Sequence, residues 1–169
     1  GELGECDLTL RDLQTIDGIS ENTAIAFKSV QACAHRLMKQ EVMHRQVLTS
    51  WEQLLEYIAA TMAHERKEYF RLLFLNKKNE LIADEIQGSG TVDHTPVYPR
   101  EIMKRSLELG ATALILIHNH PSGDPSPSQA DIEMTAEIVA AAGPLGIVIH
   151  DHLIVSRTGI ASFRAMGLL

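Results

Sequence analysis

The chain has 169 residues, enough for one main domain with a buried core plus a small appendage, and its 45% hydrophobic share is that of an ordinary globular protein rather than a disordered one. A net charge of −7 argues against a broad electrostatic grip on nucleic acid, though not against a small local basic patch. Cys6 and Cys33 have no metal-ligand spacing, so free thiols in a reducing cytoplasm are expected; no apolar run is long enough to span a bilayer, the N-terminus lacks the features of a signal peptide, and the start at Gly1-Glu2-Leu3 suggests a trimmed or partial chain.

In chain order, residues 7 to about 40 read as helical, broken by a turn at Asp17-Gly18-Ile19-Ser20. After the turn, Ala24, Phe27, Val30, Ala34 and Leu37 recur at helical spacing and predict an apolar packing face. Residues 41 to 50 are polar and predict a linker ending at a helix cap. There Ser50 and Gln53 form a capping box for a helix running to about Ala63 or His64. Tyr69 to Leu75 is a strand, Asn76 to Asn79 a turn and Glu80 to Gln87 the returning strand, with Gly88-Ser89-Gly90 suggesting a bulge or close backbone approach. Pro99 to Leu109 reads as a helix closed by Gly110. A short apolar strand, Ala113 to Ile117, leads into histidines. A helix from Pro127 to Ala142 follows, stopped by Gly143-Pro144. Last comes a long strand from Gly146 to Ser156, turned by Arg157-Thr158-Gly159. Strands interleaved with helices imply an α/β sandwich around a mixed sheet.

The densest chemistry lies in His118-Asn119-His120 followed by Ser128 and Asp131, a pattern H-x-H-x7-S-x2-D. A strand has a side-chain period of two, so His118 and His120 leave the same face and can hold one ion together. Ser126-Pro127-Ser128-Gln129 reads as a helix start, with Ser126 as N-cap, Pro127 as first helical residue and Gln129 as capping-box partner. Ser128 and Asp131 then share a helix face. Two imidazoles and a carboxylate leave the fourth position of a tetrahedral zinc open, the arrangement of a catalytic rather than a structural site. One zinc per chain, held by His118, His120 and Asp131, is therefore expected. It would bring the pKa of a bound water toward ~7.

These residues resemble the JAMM (MPN-plus) metalloprotease motif without departure at the named positions. The fuller run from His118 to Asp131, with Gly90-Thr91-Val92-Asp93, Pro99-Arg100-Glu101 and Asp151-His152-Leu153-Ile154, is similar to the bacterial RadC family, historically named as DNA-repair proteins. The resemblance covers roughly residues 47 to 169. It implies a mixed-sheet α/β/α sandwich of JAMM/MPN type, similar in outline to cytidine deaminases, and a division into residues 1–46, a helical module with linker, and 47–169, the metal-binding domain. The helix, glycine turn and helix near the N-terminus resemble a helix-hairpin-helix module, which would allow weak DNA contact. Its second glycine is Ser20 here, and residues 1–50 hold seven acidic against five basic side chains, so a plain packing element is the expected reading.

The resemblance also implies a catalytic glutamate upstream, moving a proton from water to the leaving amine. Glu65, Glu68, Glu80 and Glu85 are candidates. Glu68 is chosen because it directly precedes the strand at Tyr69 and fits an E-x-F pattern, with Glu65 next. Ser128 is expected to orient water or donate to a developing oxyanion, a role worth about 3 kcal/mol by analogy with an oxyanion-hole donor; a helix-start serine that merely satisfies a backbone N–H is the plainer alternative. His150 and His152 share a face of the last strand, like the first pair, but no helix with a spaced carboxylate follows, so core or supporting roles are expected; His64 and His94 read as isolated and exposed. The contiguous letters His-Asn-His do not make an HNH nuclease, and a zinc deaminase would need H-x-E and P-C-x-x-C, which are absent. The expectation is a zinc hydrolase of JAMM type, acting on a peptide or isopeptide bond in an unidentified substrate, with a non-catalytic DNA-binding or repair accessory as the alternative; oligomeric state is open.

Overall fold

The computed structural model describes residues 8–89 and 97–169; Cys6, Gly90 to Asp93 and His94 lie outside the described residues. Five strands, β1 (Tyr69–Leu75), β2 (Leu81–Ser89), β3 (Ala113–Asn119), β4 (Val148–Ser156) and β5 (Gly159–Ser162), form one sheet in the order β2-β1-β3-β4-β5. β3 and β4 pair in parallel and every other pair is antiparallel. The sheet is therefore mixed, as expected for an α/β sandwich. β5 is a short returning strand that the sequence marked only by its turn.

The central strands explain why the sheet is two-sided. β1 reads Tyr-Phe-Arg-Leu-Leu-Phe-Leu and β3 Ala-Leu-Ile-Leu-Ile-His-Asn, continuous runs that suit burial on both faces. One face carries Leu73, Leu75, Ile115, Ile117, Leu153 and Val155 against helix α3 (Trp51–Met62), through Leu54, Tyr57 and Ile58. The other carries Phe70, Leu72, Phe74, Leu114 and Leu116 against helices α4 (Pro99–Leu109) and α5 (Gln129–Ala142), through Ile102, Met103 and Ile138. Each buried large side chain contributes roughly 1.5–3 kcal/mol of apolar transfer, so these two layers dominate the core. α4 runs over the expected bounds, with Pro99 at its first turn and Gly110 in the left-handed region (φ 66°) closing it.

Two N-terminal helices, α1 (Leu10–Gln14) and α2 (Glu21–Val42), precede this sandwich, joined through Gly18 at φ 83°. The expected apolar face of α2 does not hold. Ala24 is buried, but Phe27, Val30 and Leu37 are 54%, 69% and 63% exposed. The helix is instead rotated so that Met38 and Val42 reach the α3 side of the core, which places Lys28, Gln31 and His35 on its inner face. The polar stretch after it is no solvated linker. α2 continues through Val42, His44 N–H donates to Leu81 O and Leu81 N–H to Arg45 O, and buried Val47 opens a short 3-10 turn that ends at Ser50. Ser50 does precede α3, but its hydroxyl donates to Gln46 O, so the expected box with Gln53 does not form.

Candidate metal centre

The site sits where the carboxyl end of β3 meets the start of β1 and the N-terminus of α5. It is the crevice outside a parallel strand end where sheets of this kind place ligands. His118 is the penultimate residue of β3; His120 lies just beyond it, with its N–H still donating to Val155 O at 2.8 Å. The period of two persists, and the two imidazoles meet edge to face with ring centroids 4.7 Å apart. His120 is aimed by a hydrogen bond between Nδ1 and Asp124 O at 2.8 Å.

Asp131 arrives from α5. The helix begins two residues later than expected: Ser128, not Ser126, is the N-cap, and Pro127 lies before the helix. Ser128 Oγ accepts from the Asp131 N–H at 3.2 Å while Asp131 Oδ2 accepts from the Ser128 N–H at 2.8 Å. That reciprocal box uses a carboxylate at the positive end of the helix dipole and prevails over the neutral Ser126/Gln129 alternative. The Ser126 N–H is taken by Asp124 Oδ1 at 2.9 Å. The Ser128 hydroxyl also donates to Asp131 Oδ2 at 2.6 Å. The carboxylate is thereby fixed 3.2 Å from His118 Nδ1 and 3.5 Å from His120 Nε2.

Glu68 approaches from the residue before β1. Its Oε2 lies 3.9 Å from His118 Nε2, and ligand atoms of Glu68, His118 and His120 all fall within 4.8 Å of one another. The other candidates are placed elsewhere. Glu80 accepts from Asn76 in the β1–β2 turn, Glu85 is held by Arg105 at 2.6 Å, and Glu65 is exposed in the α3–β1 connection. Asn119, which sequence reasoning passed over, positions the Glu68 segment. Its buried side chain accepts from the Tyr69 N–H at 2.8 Å and donates to Lys67 O at 2.9 Å, bracketing Glu68 as a neighbouring strand would. A polar residue between two histidines at a buried strand end was the available signal.

The electrostatics fit a cation. Burial alone would raise the Asp131 pKa, but His118, His120 and Ser128 around it hold the carboxyl well below its usual range. The same carboxylate, with Asp124 O, outweighs burial and raises His120. His118 Nδ1 is buried and lacks an aligned hydrogen bond despite the nearby carboxylate. The two carboxylates flank different nitrogens of His118, Asp131 beside Nδ1 and Glu68 toward Nε2. An ion on the Nδ1 side would take Asp131 and one on the Nε2 side Glu68. Imidazole and carboxylate donors suit a divalent ion such as zinc.

The second histidine pair separates. A register shift skips His150 between the pairs Leu114↔Ile149 and Ile115↔Asp151, so His150 and His152 do not share a face. His150 Nε2 meets Asn79 Oδ1 at 2.7 Å. His152 is buried against Phe163 and Phe70, bonded to Thr135 Oγ1 at 2.7 Å, and stacked 6.3 Å from His118; burial and the neighbouring imidazole push its pKa down to about 3, so it packs as a neutral ring beside the site. Asp151 is committed to the backbone N–H groups of His152 and Arg164 and to Ser162 Oγ.

No helix among the described residues is long and apolar enough to cross a membrane. A family model for the RadC-like JAB domain matches residues 48–168 and so spans the whole sandwich and every residue converging on this centre. The fold, the strand-end histidine pair and that match together make the chain a member of the RadC-like JAB domain family.

Proposed function

We propose that the chain is a zinc-dependent hydrolase of JAMM type that cleaves a peptide or isopeptide bond in a protein substrate. The observation that carries this reading is the convergence of Glu68 on the His118–His120 pair, with Asp131 held beside both imidazoles. His118, His120 and Asp131 would hold the zinc, with Glu68 beside His118 as the proton carrier. When bound, the ion supplies a Lewis acid for the scissile carbonyl and a water acidic enough to act near neutral pH. Glu68 accepts a proton from the attacking water and delivers it to the departing amine; its half-buried position beside His118 keeps it within reach of both events. Asn119 holds the peptide units on either side of Glu68, limiting where that carboxylate can sit. Ser128 fixes Asp131. Its donation to an oxyanion, as the motif's resemblance implies, requires the hydroxyl to rotate away from Oδ2.

The test separates binding from chemistry. Glu68→Gln is expected to retain zinc and to lose about 10²–10⁴-fold in turnover of an internally quenched peptide pool. Asp131→Ala is expected to lose the metal. Undiminished turnover in Glu68→Gln would remove that glutamate from the mechanism.

A further inference from the structure

We propose that a groove lined by the α3–β1 connection binds a phosphate-bearing small molecule of nucleotide size. The groove lies between α2 and the end of α3 and encloses about 510 Å³, within the ~300–1,000 Å³ typical of ligand pockets. Among the described residues its walls include Lys28, Arg66, Lys67, His35 and His64 with the Glu65 carboxylate, and Asp12 lies 3.2 Å from Arg66. In a chain of net charge −7 this is a local inversion of sign.

α2 supplies one wall of the groove. Its inner face carries Lys28, Gln31 and His35 where a packing helix would place apolar residues, while Phe27, Val30 and Leu37 face outward. Lys28 Nζ donates to the neutral Gln31 Oε1 at 2.9 Å. Arg66 reaches Asp12 at 3.2 Å across an exposed pair, a contact worth little in water and readily exchanged for a phosphate oxygen. An ammonium, a guanidinium and a second ammonium around one cavity match the dispersed charge of a phosphoryl group. A long nucleic acid would meet the acidic surface of the rest of the chain, whereas a small anion needs only the groove. Lys67 and Tyr69 line the groove and flank Glu68, so an occupant sits against the segment that carries Glu68.

The experiment is calorimetric titration of the full chain in EDTA, which removes metal-mediated binding, with inorganic pyrophosphate, ADP, adenosine and a twenty-residue oligothymidylate. Pyrophosphate and ADP should bind one per chain and adenosine should not. Lys28→Gln and Lys67→Ala should each weaken ADP about tenfold with unchanged melting temperature. Three results would overturn the proposal: no heat with pyrophosphate or ADP at millimolar concentration, full ADP affinity in the folded double variant, or binding of the oligonucleotide without ADP.

Discussion

At Ser128 the structure shows the plainer of the two roles its position offered, a helix-start serine that satisfies a backbone N–H. The spacing H-x-H-x7-S-x2-D brought out His118, His120, Ser128 and Asp131, and the structure gathers them, but the serine is the helix cap and its hydroxyl rests on Asp131. The choice between Ser126 and Ser128 as cap turned on a carboxylate bonding back to the backbone, an energy difference that identity alone does not show. Ser128→Ala should therefore do two things. Loss of the cap should cost about 1 kcal/mol of stability in urea unfolding, and the untethered Asp131 should weaken zinc about 10- to 100-fold in a competition titration with a chromogenic chelator. Unchanged zinc affinity would show that Asp131 is held without it. Glu68 was singled out among four glutamates by its place before a strand; Asn119 offered only its polar character at a buried strand end, and its partners, backbone about fifty residues away, are not legible locally.

At the scale of elements, those governed by local chemistry were readable. α4 has Pro99 at its start and Gly110 in the left-handed region at its end, and both bounds follow from those two residues. No atom lies within 4 Å of a Cβ built at Gly110, so Gly110→Ala tests backbone conformation alone and should cost about 1–2 kcal/mol in thermal or urea unfolding. A cost near zero would mean that the helix end rearranges freely. Elements set by distant partners were misread. The apolar period of α2 gave the wrong face because Met38 and Val42 fix its rotation on α3, and the bulge at His150 broke the alternation on which the His150–His152 pairing depended. Periodicity locates a helix or a strand; the neighbouring layer decides which side is buried.

At the scale of the molecule, the two-sided sheet carries one buried ionic knot away from the metal centre. Arg71, in central β1, donates to Asp84 at 2.5 and 2.6 Å and to the Tyr57 hydroxyl, while Lys39 approaches Asp84 at 3.3 Å, so α2, α3, β1 and β2 meet at one carboxylate. Burial would raise the Asp84 pKa, but the bonds from Arg71, with Tyr57 and Lys39, lower it below 3.8. A carboxylate depressed on folding contributes stability that is full above the unfolded pKa of about 3.9 and is lost as pH falls through the folded value. Asp84→Asn leaves Arg71 buried without its counter-charge and should cost about 3–5 kcal/mol at neutral pH. Stability measured by urea unfolding should also fall less steeply for this variant than for wild type from pH 5 to pH 2; parallel acid limbs would mean that another group sets the acid response. The most direct test of the central claim is the zinc stoichiometry of the full chain, by elemental analysis after equilibrium dialysis against zinc, beside His118→Ala. The centre described here predicts about one ion per wild-type chain and its loss in the variant, with both proteins folded. A folded wild type that takes up no zinc at saturating concentration would contradict it.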